Sequence, residues 1–369
     1  MALINLLDKY HDALVKWYGH DSYTANVAST AYSFKGVKTI ELLSLIPSEL
    51  DTGFMAKARP LSGGNQLGTP TEVCDAMQIL ELKEDIEWTN FISSADNSQQ
   101  GYLKTVGEYM RLMMRKKQNP TKDKKILRKW AEGAGKVVEL GSGVTISKSN
   151  IIEKLCDIEE YFADAGVPED NRYVFLPIKH WTYIRLADEY DSCDTLKRDL
   201  TFKGWKGNFN TLRLIFVPND YMPAKVNILA VHKDSVIAPS TFKHVQVYER
   251  APGYVGPLME YLEYYDAFVV GNLCEGVYAL VDYGYKGATI TITKGSGTAS
   301  GKKATITAAS GSPTIYYTID GTDPRWSKTR EAYTAAVDNL PVGTVVKAAG
   351  IKPASDIYWS DVVSLELTA

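Results

Sequence analysis

The sequence has little of what enzymes and metal proteins use to build their sites. Its five histidines, His11, His20, His180, His232 and His244, are scattered. No H-x-x-x-H or H-E-x-x-H spacing places two imidazoles on one helix face. Cys74, Cys156, Cys193 and Cys274 form no C-x-x-C pair, which argues against zinc and against a disulfide framework; they read as small buried hydrophobes in a reducing compartment. A G-x-S-x-G nucleophile setting is absent. The glycine-rich "LSGGNQLGTP" lacks the Gly-Lys-Ser/Thr ending of a phosphate-cradling loop and reads as a loop tip. No apolar run is long enough to span a bilayer. Lys and Arg number 41 against 44 Asp and Glu, a net charge of -3, and no basic tail marks a dedicated nucleic-acid binder. The opening "MALINLLDKY" has no basic leader and carries Asp8 within its apolar stretch, so a secretory signal is not expected.

What is present is length and pattern. A chain of 369 residues has room for two or three domains. "INLLDKYHDALVKWY" spaces Ile4, Leu7, Leu14, Trp17 and Tyr18 as in a short amphipathic helix. "GVKTIELLSLIPSEL" and "VCDAMQILELKEDIEWTNF" read as two long β segments around a Gly/Pro-rich stretch, an extended hairpin with too little apolar material for a core of its own. "SADNSQQGYLKTVGEYMRLMMRKKQ" turns helical, with Leu103, Val106, Met110 and Met113 on one face and a basic cluster in its last turn, where it suits the helix dipole. Pro120 is expected to break that helix, with a shorter one following in "KDKKILRKWAEGAG". In "SNIIEKLCDIEEYFADAGVPEDNRYVFLP", Asn150 and Glu153 suggest a capping box, Ile151, Leu155, Ile158 and Phe162 make an apolar stripe, and Gly166 and Pro168 end the helix. A helix around Trp181 and Ile184 and the strands "LRLIFVP" and "NILAVHK" make this region mixed α+β. "YYDAFVVGN" and "GVYALV" look like a closing strand pair.

From Gly287 onward the helical period disappears. Roughly seven short alternating segments, separated by Gly, Pro, Ser and Asp, predict an all-β immunoglobulin-like sandwich over residues 286–369. Within it, "TIYYTIDGTDPRWS" raises a metal question through Asp320 and Asp323. Two carboxylates closed off by Pro324 fall short of a calcium loop, and Asp320-Gly321 fits a hairpin turn. Arg325, Trp326, Tyr358 and Trp359 are the candidate surface-ligand contacts. No catalytic, cofactor or metal residues are predicted.

The order of elements resembles the major capsid proteins of tailed bacteriophages with the Hong Kong 97 fold. The resemblance rests on "GVKTIELLSLIPSEL" with "LELKEDIEWTNFISSADN", on "NPTKDKKILRKWAEGAG", on "VTISKSNIIEKLCDIEEYFADAGVPEDNRYVFLP", on "ILAVHKDSVIAP" and on "YLEYYDAFVVGNLCEGVYAL". It implies a core over residues 1–285, divided into an N-terminal arm (1–35), an extended loop (36–95), a spine helix with peripheral domain (96–144), an axial domain (145–245) and peripheral return strands (246–285). The end of the chain, with "IYYTIDGTDP", Tyr333, "TVVKAAGI" and "WSDVVSLEL", resembles the immunoglobulin-like module at the ends of chitobiases.

The family implies a non-enzymatic structural protein without cofactors. It implies self-assembly into pentamers and hexamers of an icosahedral shell, in a virion built in the host bacterial cytoplasm. Arms that cannot bury themselves would pack on neighbouring subunits. The implied partners are other copies of the chain, packaged double-stranded DNA bound without sequence specificity, and portal and scaffold proteins, with no membrane. The terminal domain would be displayed outside, where it could meet host-surface glycans, and a cut after Asp282 would leave assembly intact. Some members crosslink a loop lysine to a neighbour's asparagine; Lys57 lies in the loop region, but no partner is identifiable. Two alternatives share parts of the pattern: an encapsulin-like compartment shell, and a carbohydrate-binding or adhesive surface protein.

Overall fold

Strands without a polar face build the centre of the molecule. The computed structural model describes residues 21–32, 34, 38–45, 75–99, 105–187, 208–249, 251–297, 301–309, 313–351 and 358–367. Val226–His232 is buried at every position, and Arg172–Pro177 at all but Tyr173. Such strands need a layer on each side, and alternate residues divide between two cores. Val174, Leu176, Ile228 and Ala230 face Ile151, Leu155, Ile158 and Phe162. Phe175, Leu229 and Val231 face Ile126, Leu127, Trp130 and Ala131. The resulting six-stranded mixed sheet runs Lys136–Glu139, Val277–Val281, Val226–His232, Arg172–Pro177, Leu212–Val217, Asn208–Phe209.

The helix Ile151–Asp164 covers one face with the expected stripe, beside the helix Ile178–Arg185. The capping box does not form: Asn150 accepts from the Ser147 amide at 2.8 Å and donates to the Thr145 carbonyl, capping the preceding turn instead. Gly166 ends the helix at φ +66°, a left-handed conformation that favours glycine. His180 and Trp181 are packing residues, with His180 buried and Trp181 against the Phe216 ring.

Pro120 does not break the spine. The helix Val106–Met113 passes through a π turn, Met114–Gln118, directly into Asn119–Glu132. In the π turn the Asn119 amide reaches the Met114 carbonyl, so the wider register accommodates the donor that proline lacks. Arg115, Lys116 and Lys117 therefore sit mid-spine and not at a helix end.

The closing strand pair is also rearranged. Phe268–Val269 pairs with Val236–Ile237, whereas Val277–Val281 enters the central sheet between Lys136–Glu139 and Val226–His232. Ser240–Tyr248 spans the anticipated axial boundary at 245 and pairs with Leu258–Tyr265, which pairs with Glu84–Phe91. Those three strands form a second sheet, peripheral in the sense of separate from the central one.

Residues 21–32 pack on their own subunit. Val27 and Ala28 belong to the spine-side core, and Ser29 bridges to Ile237. Buried Asp123 of the spine accepts from Ser22 Oγ at 2.6 Å, Thr24 Oγ1 at 2.7 Å and the Tyr23 amide at 2.9 Å. These bonds anchor the described part of the arm to the same chain. Asp123→Ala is expected to cost about 3 kcal/mol, because it strands three donors. A lowered denaturant midpoint and earlier proteolysis near residue 21 would show it. The predicted helix around Leu7 and Leu14 lies outside the described residues.

Beyond Tyr285 the chain forms two antiparallel sheets. Three strands, Ile290–Ser296, Lys302–Ala308 and Val337–Leu340, face four, Glu331–Ala332, Thr314–Thr318, Val345–Ile351 and Val363–Glu366. Ile290, Ile292, Ile306 and Leu340 meet Ile315, Val346 and Ala348 in a separate core.

Candidate functional site

No cluster of three or more His, Cys, Asp or Glu among the described residues could hold a metal ion. The functional surface begins instead with the hairpin. Thr39–Leu45 pairs with Asp75–Glu81 in a register that sets Leu43 opposite Met77 and Glu41 opposite Ile79. Alternation sends Ile40, Leu42 and Leu80 inward, against Phe34, Leu82, Ile237 and Val270. The opposite face leaves Leu43 62%, Leu45 68% and Ile79 44% exposed. A two-stranded ribbon with an apolar face on the solvent side is unstable in isolation and aggregation-prone unless covered. The loop between its strands, Lys57 included, lies outside the described residues.

A second apolar region lies on the peripheral sheet. Phe91 packs on Tyr254 at 5.1 Å while remaining 50% exposed, and Val245 and Val247 are exposed on the edge strand. Among the described residues that nine-residue strand pairs on one side only, so its other edge has backbone groups that a further strand could pair with.

The predicted contact residues of the terminal module are held by the rest of the chain. The Arg325 guanidinium donates to Asp323 from Nε and Nη2, and to the Gly135 carbonyl from Nη1 at 2.5 Å. Burial works against its charge, but the Asp323 carboxylate holds it protonated well beyond its ordinary range. Trp326 lies flat over Gly271, where an added Cβ would come within 2.1 Å of the ring. Tyr358 is buried in the spine-side core, and its hydroxyl donates to the Ala224 carbonyl at 3.2 Å. Trp359 is half-buried against Tyr316 at 5.9 Å. The exposed turn end anticipated for Arg325 is therefore an interdomain contact, because the loop bends back on the core.

Asp320-Gly321 turns the chain, with Gly321 at φ +76°, but it opens a long loop and not a two-residue hairpin: Thr314–Thr318 pairs next with Glu331–Ala332. Asp320 accepts from the Thr322 amide and hydroxyl and from Thr329. Burial opposes its charge, yet those donors together hold its carboxyl below the usual range. With Asp323 bound to Arg325, neither carboxylate is left for a cation.

Solved structures of phages share this fold. A chain of Mycobacterium phage Che8 superposes with a TM-score of 0.59 at 14% identity, covering 76% of this chain and 98% of that one. A chain from the capsid structure of the Cyanophage P-SCSP1u gives 0.58 at 12%, covering 75% and 92%. One from the asymmetric unit of the bacteriophage PhiM1 mature capsid gives 0.50 at 10%, covering 75% and 92%. Over about three quarters of its length the chain shares the fold seen in phage capsid structures. Residues 304–367 match the family model described as Fn3 associated, so the terminal module has a likeness of its own. No curated protein matches the sequence. No helix among the described residues is long and apolar enough to cross a membrane.

Proposed function

We propose that the chain is the major capsid subunit of a tailed double-stranded DNA phage or prophage. The exposed Leu43, Leu45 and Ile79 face of the hairpin carries this reading. On a capsid fold, an apolar arm that its own subunit leaves uncovered is explained by burial against the next subunit. The finer reading follows the Hong Kong 97 pattern, with pentamers and hexamers closing an icosahedral shell around DNA and with portal and scaffold proteins as partners. In it the terminal module is an immunoglobulin-like domain of chitobiase type on the outer surface. The role is structural and not enzymatic, and the protein resides in the virion after assembly in the bacterial cytoplasm.

Negative-stain electron microscopy of the purified chain tests it. Shells or capsomer rings are the expected result, and a strictly monomeric species across salt and concentration would overturn it. Leu43→Glu together with Leu45→Glu is expected to abolish particles while leaving the subunit folded by circular dichroism, since the changes fall on exposed side chains. A second reading, glycan contact by the module, draws on Trp326 and Trp359, which line one crevice with Arg330; indole faces beside a cation suit sugar stacking.

A further inference from the structure

We infer that the loop Asp323–Lys328 of the terminal module is a brace that fixes the pose of the hairpin on the core. Three parts of the chain, distant in sequence, meet at Gly271. From the hairpin, the buried Gln78 amide donates to the Val269 carbonyl at 3.0 Å and accepts from the Gly271 amide at 2.8 Å. From the module, the Trp326 ring covers Gly271 on the side where any side chain would collide with it. The next residues then reach the hairpin directly. The Lys328 amide donates to the Met77 carbonyl at 3.2 Å, and its ammonium lies 3.7 Å from Glu41 on the paired strand. Arg325 anchors the other end of the loop to the core through Gly135, whose own amide donates to Cys274.

The brace therefore touches both strands of the hairpin and is itself fastened behind the spine helix. Around it the packing is open. A crevice of about 700 Å3 lies between the hairpin strand, the end of the spine, Phe268 and the module. Because that space is not filled by side chains, the hairpin's angle depends on a few directed contacts more than on continuous packing. Gln78, Gly271, Trp326 and Lys328 are positioning residues in this arrangement. They hold an element whose exposed face makes the contacts, and they lie outside that face. The consequence for assembly rests on the capsid reading: a hairpin held at a set angle presents Leu43, Leu45 and Ile79 to the next subunit in one geometry, with less freedom to lose on association.

The brace itself can be tested without assembly. Hydrogen exchange is measured on the full chain as unassembled subunits, comparing Trp326→Ala, Gly271→Ala and Trp326→Phe with the parent. Gly271→Ala displaces the ring from below without substituting any residue of the hairpin or of the module, so it serves if Trp326→Ala fails to fold. Amides of Thr39–Leu45 and Asp75–Glu81 are expected to exchange roughly tenfold faster in both disruptive variants. Those of Arg172–Pro177 and of Thr314–Thr318 should keep their protection, and Trp326→Phe should restore most of the hairpin's. Unchanged hairpin exchange in a folded Gly271→Ala chain would overturn the brace. Particles are then imaged for the same set: loosened hairpins with fewer or more heterogeneous particles link the brace to assembly. Absence of particles from the parent chain as well would remove the capsid reading and leave the brace standing.

Discussion

A chain cut after Asp282 is expected to lose stability in the portion that remains, by about 3 kcal/mol or more. That portion keeps the central sheet and the spine, and treating the module as an appended ornament predicts no change. The contacts argue otherwise. Tyr358 sits 4% exposed in the spine-side core, packed with residues of the spine and central sheet. Removing it leaves a void where an aromatic ring was, which costs both transfer free energy and lost packing. The Ala224 and Gly135 carbonyls lose the Tyr358 hydroxyl and the Arg325 guanidinium, and Lys136 loses Asp361. With roughly 2–4 °C of melting temperature per kcal/mol in a domain of this size, scanning calorimetry should show a fall of roughly ten degrees. The apolar floor under Trp326 also becomes exposed, so dye binding to apolar surface should rise. An unchanged melting temperature would mean that the module is separable after all.

The parts of this structure that were legible in the sequence are those governed by short-range pattern. The stripe Ile151, Leu155, Ile158 and Phe162 announces a helix because 3.6-residue spacing puts those side chains on one face. The run "NILAVHK" announces a doubly covered strand because it has no polar alternation. The two β segments of the hairpin likewise show their period, and with it which residues face out. What the sequence does not carry is pairing over distance. Nothing in "GVYALV" says that it joins the central sheet and not its near neighbour, since both partners would suit an apolar strand. Arg325 and Trp326 look like surface groups, because a charge beside an indole in a turn is usually solvated. Their partners lie some 190 and 55 residues away: Arg325 bonds the main-chain carbonyl of Gly135, and Trp326 needs the missing side chain of Gly271. Pro120 misleads for a different reason. Proline is incompatible with a regular α-helical interior, and the π turn that absorbs it is set by how the spine packs.

Glu263→Ala is expected to cost about 3–5 kcal/mol, the usual penalty for breaking a buried ion pair from one side. Glu263 is 3% exposed in the peripheral sheet, and its side-chain hydrogen bonds run to its own strand and to the spine. Lys122 donates to Oε1 at 2.8 Å, while Gln118 and the Tyr261 hydroxyl donate to Oε2 at 2.9 and 2.6 Å. Gln118 closes the π turn and Lys122 begins the helix beyond it, so this one carboxylate ties the irregular part of the spine to the sheet. Alanine would leave an ammonium, an amide and a hydroxyl without their acceptor. Burial by itself would raise the Glu263 carboxyl, but Lys122 and Tyr261 together hold it below its ordinary value. A carboxyl depressed in the folded state stabilises fully above its unfolded value, and that contribution is lost as pH falls through the folded one. Urea unfolding between about pH 7 and pH 3 should therefore show the parent losing stability faster than Glu263→Gln on the acid side, so that the gap between them narrows below about pH 4.5. A gap that stays constant over that range would mean that the charge on Glu263 contributes nothing, and that only its shape holds the spine against the sheet.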